Sequence, residues 1–169
     1  MNIVKAISER FSCKKYKNKK ISEKSLNAIL EAGIRAPNAG NLQAWRFVMV
    51  TDNDKKEKLT EAALDQRWMM QAPIFIVVCS DLNKLKRYYK ERYKLYAIQD
   101  TAVAAQNIML MAYSLKIGSC FVGAFDEKKV KRVLRLAKGV EPYVIIPLGY
   151  SDEKKITRRN SLNYSLINK

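Results

Sequence analysis

The stretch APNAGNLQAWRFV, residues 36–48, is the most informative part of the sequence for the fold. It separates a helix-like segment from a strand-like one. It contains four turn residues, Pro37, Asn38, Gly40 and Asn41. Asn and Gly tolerate backbone conformations that other residues avoid. Primary amides at Asn41 and Gln43 add hydrogen-bond donors and acceptors that a plain connector does not need. The stretch therefore indicates a loop that presents polar edges to a flat ligand; the alternative is a helix C-cap and a turn into a strand.

Helices are predicted on both sides of this loop, at residues 22–35, 52–64 and 96–115, from the spacing of their apolar residues. Ser22 is a good N-cap for the first helix, Asp54 is the expected cap of the second, and Asp126 begins a further helix. The segment 96–115 is apolar on nearly every face, which is typical of a buried helix. In a chain of 169 residues, we expect a partner chain to cover one side of it, and hence a homodimer.

Strands are predicted from apolar, β-branched runs at residues 47–51, 74–79 and 143–149. The run 74–79 is continuously apolar, so we expect it to be buried on both faces. Pro147 cannot donate a hydrogen bond to a ladder, which predicts an edge position or a bulge in the last strand. The stretch 118–126 indicates a strand ending in a tight turn, where the small residues Gly123 and Ala124 let a ligand approach the backbone.

Arg10, Ser12 and Lys14 alternate along the chain after a short N-terminal helix. In an extended segment, residues two apart point the same way, so two cations and a hydroxyl would share one face. Arginine bonds phosphate in bidentate fashion and lysine acts as a point charge, so this face suits a phosphate or an electron-rich carbonyl. The alternative is a solvated basic strand.

Composition places the chain among globular proteins, with one domain spanning residues 1–169 and 48% apolar residues. No apolar run approaches the roughly 20 residues that span a bilayer, and the N-terminus lacks the layout of a signal peptide. The three cysteines are odd in number and far apart, without a CxxC motif. We therefore expect a cytoplasmic protein with no disulfide, no metal site and no membrane partner.

The chain contains no histidine, which excludes Ser-His-Asp and Cys-His catalysis and makes most zinc hydrolase sites improbable. No GxGxxG follows a predicted strand, and no GxxxxGK[ST] occurs. If the chain is an enzyme, the difficult chemistry is therefore expected to come from a cofactor.

The net charge of +16 favours anionic partners, although a solvated basic surface explains it equally well. Residues 83–94 are basic and contain three tyrosines. They fit either a basic-aromatic nucleic-acid surface or a mobile helix or lid with a solvated face, and we favour the second.

Four segments resemble the nitroreductase family of flavin-dependent oxidoreductases. ISERFSCKKYKNKKIS (7–22) is similar to the N-terminal RRSxRxF segment, and EAGIRAPNAGNLQAWRFVMV (31–50) to the helix-loop-strand with a PSxxNxQPW core. AIQDTAVAAQNIMLMAYSLKIGSCFVGAFD (97–126) resembles the central helix, strand and turn, and YVIIPLGY (143–150) with the Arg-rich tail resembles the C-terminal part. The resemblance implies an α+β, three-layer sandwich with a mostly antiparallel central sheet, an intertwined homodimer and two FMN sites at the subunit interface.

The resemblance also assigns roles to residues. The resemblance implies that the FMN phosphate and the flavin edge are held by Arg10, Ser12 and Lys14. It implies that the flavin ring is met from the other subunit by the loop residues Pro37, Asn38, Ala39 and Asn41. The turn whose backbone faces the ring is Gly123 and Ala124, and the basic position that returns to the phosphate is Arg159, with Arg158. Gln66 and Arg67 match positions near the pyrimidine end of the flavin.

The function implied is transfer of hydride from NADH or NADPH to flavin N5, followed by electron transfer to a small aromatic, quinone or nitro acceptor in a ping-pong mechanism. No side chain acts as a nucleophile in this scheme. One alternative keeps the fold, as a flavin-dependent dehalogenase or an FMN-binding protein without NAD(P)H turnover. Another is a basic nucleic-acid-binding protein, although we expect no specific nucleic-acid partner. Residues 83–96 are the least similar to the family and are expected to shape access to the ring.

Overall fold

A computed structural model describes residues 2–155 and 157–167 of the chain. Its centre is a sheet of four strands: β1 (Trp45–Val50), β2 (Ile74–Asp81), β3 (Ile117–Ser119) and β4 (Val140–Tyr150). The strands lie in the order β1-β2-β4-β3, and each neighbouring pair is antiparallel. β1 and β3 are therefore the two edges of the sheet.

The helices surround this sheet. They are α1 (Ile3–Glu9), α2 (Glu23–Ile34), α3 (Asn53–Ala62), α4 (Leu82–Lys86), α5 (Tyr93–Ser114), α6 (Glu127–Leu134) and α7 (Leu162–Ser165), with 3₁₀ turns at Ala39–Asn41 and Arg67–Gln71. The predicted caps Ser22 and Asp126 are confirmed. The prediction for α3 was wrong, because Asp52 is its N-cap and accepts from the Lys55 N–H at 2.9 Å. Asp54 lies inside the first turn, where it faces the positive end of the helix dipole instead.

The sheet is buried on both faces, which makes the protein a three-layer sandwich and confirms the α+β fold. Ile74, Ile76 and Val78 of β2 pack with α2 and α5 on one face. The alternate residues Phe75, Val77 and Cys79 pack with α3 and α6 on the other. Each fully buried side chain of this size contributes about 1.5–3 kcal/mol, so the sheet with its two helical layers is the main source of stability.

Pro147 lies in an interior strand, so the expected edge position was wrong, and the sheet irregularity falls between Val78 and Cys79 of β2 instead. Pairing of β3 with β4 stops at Leu148, and the next contact is a bridge in which Val122 and Ile145 exchange both backbone hydrogen bonds. Since backbone groups two residues apart point the same way, the Pro147 nitrogen faces the gap between these contacts. The missing donor therefore leaves no ladder bond unmade.

An apolar surface remains exposed on the side of α1 and α5 that faces away from the sheet. In α1, Ile3, Val4 and Ile7 are 60–69% exposed, and in α5, Ile98 and Val103 are 52% and 38% exposed. The apolar residues that the sequence places all round this helix are thus only partly covered by the chain itself. Within residues 2–155 and 157–167, no helix has both the length and the apolar character needed to cross a membrane.

Candidate functional site

The segment from Arg10 to Lys14 is extended and lies beside the edge strand β3. Ser12 forms a parallel bridge with Ser119, and the Cys13 N–H donates to the Ser119 carbonyl at 3.0 Å. Cys13 is buried, whereas Ser12 and Lys14 are exposed and Arg10 is partly exposed. The side chains therefore alternate as the sequence predicts, with the buried thiol on one face and the three polar groups on the other.

The three polar groups lie close enough to Cys120, which directly follows β3, to affect the pKa of its thiol. Burial raises the pKa of the Cys120 thiol, while hydrogen bonding with Ser12 and the positive charges of Lys14 and Arg10 oppose that rise in pKa. The Lys14 ammonium also lies 5.2 Å from the centroid of the Trp68 ring, within the range of a cation–π contact. The result is a cationic surface patch with an aromatic ring at its border.

Trp68 belongs to the 3₁₀ turn that follows Gln66. Because Trp68 contacts Lys14, the backbone of Gln66 and Arg67 lies close to the cationic patch. Their side chains, however, are held by local contacts. The Arg67 guanidinium forms ion pairs with Glu57 and, at 2.5 Å, with Asp65. The Gln66 amide donates to the Ala63 carbonyl at 3.0 Å. The structure thus brings the backbone of this turn to the patch but directs both predicted side chains to α3 and its C-terminal turn.

Gly123 and Ala124 form an exposed turn beyond β3. Among the described residues, a Cβ added at Gly123 would meet only the Phe121 ring, at 3.4 Å, and the Gly123 backbone does not adopt the left-handed conformation. Neither packing nor backbone geometry within the chain therefore demands a glycine here. What the glycine provides is bare backbone open to solvent beside the cationic patch, where a flat ligand can approach closely.

The loop from Pro37 to Gln43 adopts an uncommon backbone. Gly40, Asn41 and Gln43 have φ of 55°, 52° and 53°, in the left-handed region. The Asn38 carboxamide oxygen accepts from the Gln43 N–H at 2.7 Å and closes the loop. The side-chain amides of Asn41 and Gln43 are left at the surface, with the Gln43 amide nitrogen 3.5 Å from the Asn41 amide oxygen. The polar edges inferred from the sequence are therefore exposed.

Asp100 of α5 anchors this loop. Its Oδ1 accepts from the Ala39 N–H at 3.0 Å. The residue is only 5% exposed, and its Oδ2 is buried without a hydrogen-bond partner among the described residues. Burial raises the pKa of this carboxyl, and the bond from Ala39 opposes the rise. The chain thus keeps a carboxylate in an unfavourable environment at the point where it fixes the loop to the central helix.

One chain does not bring the predicted residues together in a single site. The loop leads directly into β1, whereas the segment Arg10–Lys14 and the turn at Gly123 adjoin β3. β1 and β3 are opposite edges of the sheet, with two strands between them. The predicted residues therefore form two half-sites, which we call the cationic half (Arg10, Ser12, Lys14, Gly123 and Ala124) and the amide loop (Pro37, Asn38, Ala39 and Asn41).

Arg158 and Arg159 lie in the exposed C-terminal segment. The Arg159 guanidinium donates to the Arg158 carbonyl at 3.4 Å, and in the described part of the chain neither side chain hydrogen-bonds or ion-pairs with the cationic half. Thr157 of this segment lines the same groove of about 1290 Å³ as Arg10, but Ser12, Lys14, Gly123 and Ala124 do not line it.

Two residues at the cationic half were missed by sequence reasoning. Trp68 borders Lys14, and Glu153 accepts from the backbone N–H groups of Lys14 and Lys15 at 2.9 and 3.2 Å. Trp68 had a weak signal, since it follows the predicted pair Gln66 and Arg67. Glu153 had none, because a carboxylate in a polar tail looks solvated.

Comparison with known proteins gives a consistent result. The Nitroreductase family model matches residues 7–68 and 62–150. A protein of Methanothermobacter thermautotrophicus, named provisionally as an NADH dehydrogenase/NAD(P)H nitroreductase, is 30% identical over 94% of this chain and 82% of its own. An FMN reductase [NAD(P)H] of Bacillus subtilis is 25% identical over 90% of this chain and 67% of its own. The crystal structure of nitroreductase A from Vibrio parahaemolyticus superposes with a TM-score of 0.90 at 25% identity, covering 99% of this chain and 75% of that one. Because the family model covers most of the chain, this protein belongs to the nitroreductase family.

Proposed function

We propose that the protein is an FMN-dependent NAD(P)H oxidoreductase that acts as a homodimer, with residues 1–169 as one FMN-binding domain. The names of its relatives support this class of enzyme, since they include an FMN reductase and an NADPH-flavin oxidoreductase. The observation that carries the proposal is the separation of the cationic half from the amide loop. A second copy of the chain can bring its amide loop to the cationic half of the first copy, and the first copy can do the same for the second.

The cationic half fits FMN in its chemistry. A phosphomonoester takes a bidentate guanidinium and a hydroxyl donor, which Arg10 and Ser12 offer, and Lys14 on the same face of the segment offers an ammonium to the electron-rich edge of the ring. A flat ring needs backbone without side chains in its way, which the exposed Gly123 turn supplies. The amide loop offers exposed donors and acceptors of the kind that match the polar edge of a flavin.

Each residue then has a proposed role. Arg10 and Ser12 bind the phosphate, and Arg158 and Arg159 return to it from the C-terminal segment. Lys14 lies at the pyrimidine edge of the ring, with Gln66 and Arg67 near that end. The loop residues Pro37, Asn38, Ala39 and Asn41 meet the ring from the partner subunit, and Gly123 and Ala124 face it with their backbone.

The exposed apolar surface supports the dimer. Ile3, Val4 and Ile7 of α1 and Ile98 of α5 are all more than half exposed, although each would contribute about 1.5–3 kcal/mol if fully buried. A monomer gains nothing from keeping such side chains in water, and exposed apolar side chains grouped on one helix, as on α1, are typical of an interface. A second copy of the chain is the partner that would also complete the two half-sites.

FMN, when bound, supplies the redox chemistry, in which hydride comes from NADH or NADPH and electrons go in a ping-pong sequence to a small nitro, quinone or other aromatic acceptor. The residues of the chain supply position and charge. Lys14 holds a fixed positive charge beside the edge of the ring that becomes more negative on reduction, and preorganised charge of this kind is an effective catalytic device. A chain without histidine can work in this way, since no side chain has to act as a nucleophile or a base.

The visible absorption spectrum of the purified protein tests this proposal, followed by anaerobic mixing with NADH and with NADPH. We expect a flavin spectrum that bleaches on mixing with one or both nucleotides. A protein that binds FMN but is not bleached by either would fit the dehalogenase or the flavin-binding alternative. Colourless protein that takes up no added FMN and is retained on DNA in a salt-dependent manner would contradict the proposal.

A further inference from the structure

Glu153 lies just beyond β4, and its side chain reaches back 139 positions in sequence to the cationic half. Its Oε2 accepts from the backbone N–H of Lys14 at 2.9 Å and of Lys15 at 3.2 Å. We propose that Glu153 is a positioning residue, which fixes the backbone at Lys14 so that its ammonium is presented to the flavin. This role rests on the function proposed above.

The turn that carries Glu153 is itself fixed. The Glu153 N–H donates to the Ser151 hydroxyl at 2.9 Å, and the Lys17 N–H donates to the Tyr150 carbonyl at 2.8 Å. The first bond fixes the turn itself, and the second joins the end of β4 to the N-terminal segment two residues beyond Lys15. A side chain on such a turn can impose a geometry on its neighbour, whereas one on a frayed tail cannot.

The carboxylate suits this task better than a neutral acceptor. Hydrogen bonds from N–H groups to an ionised acceptor are about twice as strong as neutral ones. The Lys14 N–H is the main reason why the pKa of Glu153 lies below its usual value, as expected for an N–H group that stabilises the ionised carboxylate. The Cys13 N–H pairs with Ser119 of β3, but among the described residues no backbone carbonyl accepts from the Lys14 or Lys15 N–H, and Glu153 accepts from both instead.

Lys14 is thereby held at both ends. Its backbone N–H is bound by Glu153, and its ammonium lies over the Trp68 ring at 5.2 Å. A flexible side chain of four methylenes needs both restraints to keep its charge in one place. If Glu153 is removed, the backbone at Lys14 can rotate, and the ammonium moves away from the position that a bound flavin would use.

The neighbouring Asp152 provides a matched control. It is exposed and forms an ion pair with the Lys17 ammonium at 2.5 Å, and no hydrogen bond joins it to Lys14 or Lys15 among the described residues. Asp152→Ala therefore removes the same charge from the same turn without releasing the two backbone N–H groups.

The experiment compares Glu153→Ala, Glu153→Gln and Asp152→Ala with the wild type in two measurements on flavin-free protein. The first is the dissociation constant for added FMN, and the second is the hydrogen-exchange rate of the Lys14 and Lys15 amides. We expect Glu153→Ala to weaken FMN binding about tenfold, which corresponds to one charge-assisted hydrogen bond, and to speed exchange at both amides. Glu153→Gln restores most of both properties because its amide oxygen still accepts, and Asp152→Ala leaves both unchanged.

The assignment is overturned if wild-type protein binds FMN and Glu153→Ala binds it as tightly as Asp152→Ala does. It is also overturned if exchange at Lys14 and Lys15 is the same in Glu153→Ala as in the wild type. Wild-type protein that binds no FMN contradicts the proposed function instead, and the exchange rates then decide the backbone contact without reference to flavin.

Discussion

Replacing Gly40 with alanine is expected to destabilise the protein by about 2 kcal/mol, through two effects that can be separated. Gly40 lies between Ala39 and Asn41 of the amide loop, with φ 55° and ψ 22°. A Cβ added there would lie 2.5 Å from the hydroxyl oxygen of Tyr89, which is far inside contact distance. The substitution therefore meets both a backbone and a packing penalty.

The two penalties are of similar size. An alanine in the left-handed region costs about 1–2 kcal/mol relative to its preferred conformations. Relief of the contact requires the Tyr89 ring to leave its rotamer, which costs about 0.5–1.5 kcal/mol for a displacement of this kind. Taking the lower half of each range gives about 2 kcal/mol in total.

A Tyr89→Phe background separates these effects. Without the hydroxyl, the nearest atom of the ring is Cζ at 3.7 Å, which is an ordinary contact. Gly40→Ala should then destabilise by only the backbone amount, about 1 kcal/mol. The double-mutant cycle therefore predicts a coupling free energy of about 1 kcal/mol between the two positions.

Urea unfolding of flavin-free protein, followed by the fluorescence of Trp45 and Trp68, measures these free energies. All variants are compared at one protein concentration, because ligand binding and association both shift apparent stability. An equal loss in both backgrounds would show that Tyr89 does not pack on Gly40. No loss in either would refute the left-handed conformation of the loop.

Three further predictions concern charged side chains. Lys14→Ala should weaken FMN binding or lower the flavin reduction potential, and a variant with both properties unchanged would remove Lys14 from the site. Burial raises the pKa of Asp100 above 3.8, so the folded carboxyl binds its proton more tightly than the unfolded one, and wild type should lose stability relative to Asp100→Asn as pH rises from 3.8 through the raised pKa. Burial lowers the pKa of Lys56, whose ammonium donates to the Ala72 carbonyl at 3.0 Å, below 10.5. Wild type should therefore gain stability relative to Lys56→Met as pH rises toward 10.5, and parallel pH profiles in either pair of unfolding measurements would refute the corresponding burial.

Local features of the fold could be predicted from the sequence because their causes lie within a few residues. Ser22 and Asp126 each lie four positions before the first apolar residue of a helical pattern, Leu26 and Val130, and both are N-caps. The choice between Asp52 and Asp54 failed, since both are acceptable caps and lie two residues apart in the same polar stretch. Which of them begins the helix depends on where the chain leaves β1, and the sequence does not contain that information in local form.

The order and direction of the strands could not be derived from pattern alone. The continuous apolar run of β2 is typical of a parallel strand covered by helices on both faces. Here it is antiparallel to both neighbours, and α2 with α5 on one face and α3 with α6 on the other give the same burial. In the sequence, only the resemblance to the family favoured an antiparallel sheet over a parallel one.

The candidate site shows the same division. The alternation of Arg10, Ser12 and Lys14 could be seen in the sequence, because residues two apart share a face of an extended segment. Glu153 could not, because its contact with Lys14 joins residues 139 positions apart and its partners are backbone groups that every residue possesses. Lys56 could not be recognised either, since a lysine in the predicted helix 52–64 gives no sign that its ammonium is buried against the Ala72 carbonyl.

The amount of FMN bound by a mixed dimer tests most directly whether each flavin site takes its cationic half from one chain and its amide loop from the other. One chain carries Arg10→Ala with Lys14→Ala, the other carries Asn38→Ala with Asn41→Ala, and two affinity tags isolate the dimer that contains one of each. If each site is shared between chains, the mixed dimer has one intact site and one site with both lesions. We therefore predict one FMN per mixed dimer, whereas each parent dimer binds little. A mixed dimer that binds as little FMN as its parents would contradict the shared site, because every site would then carry a lesion.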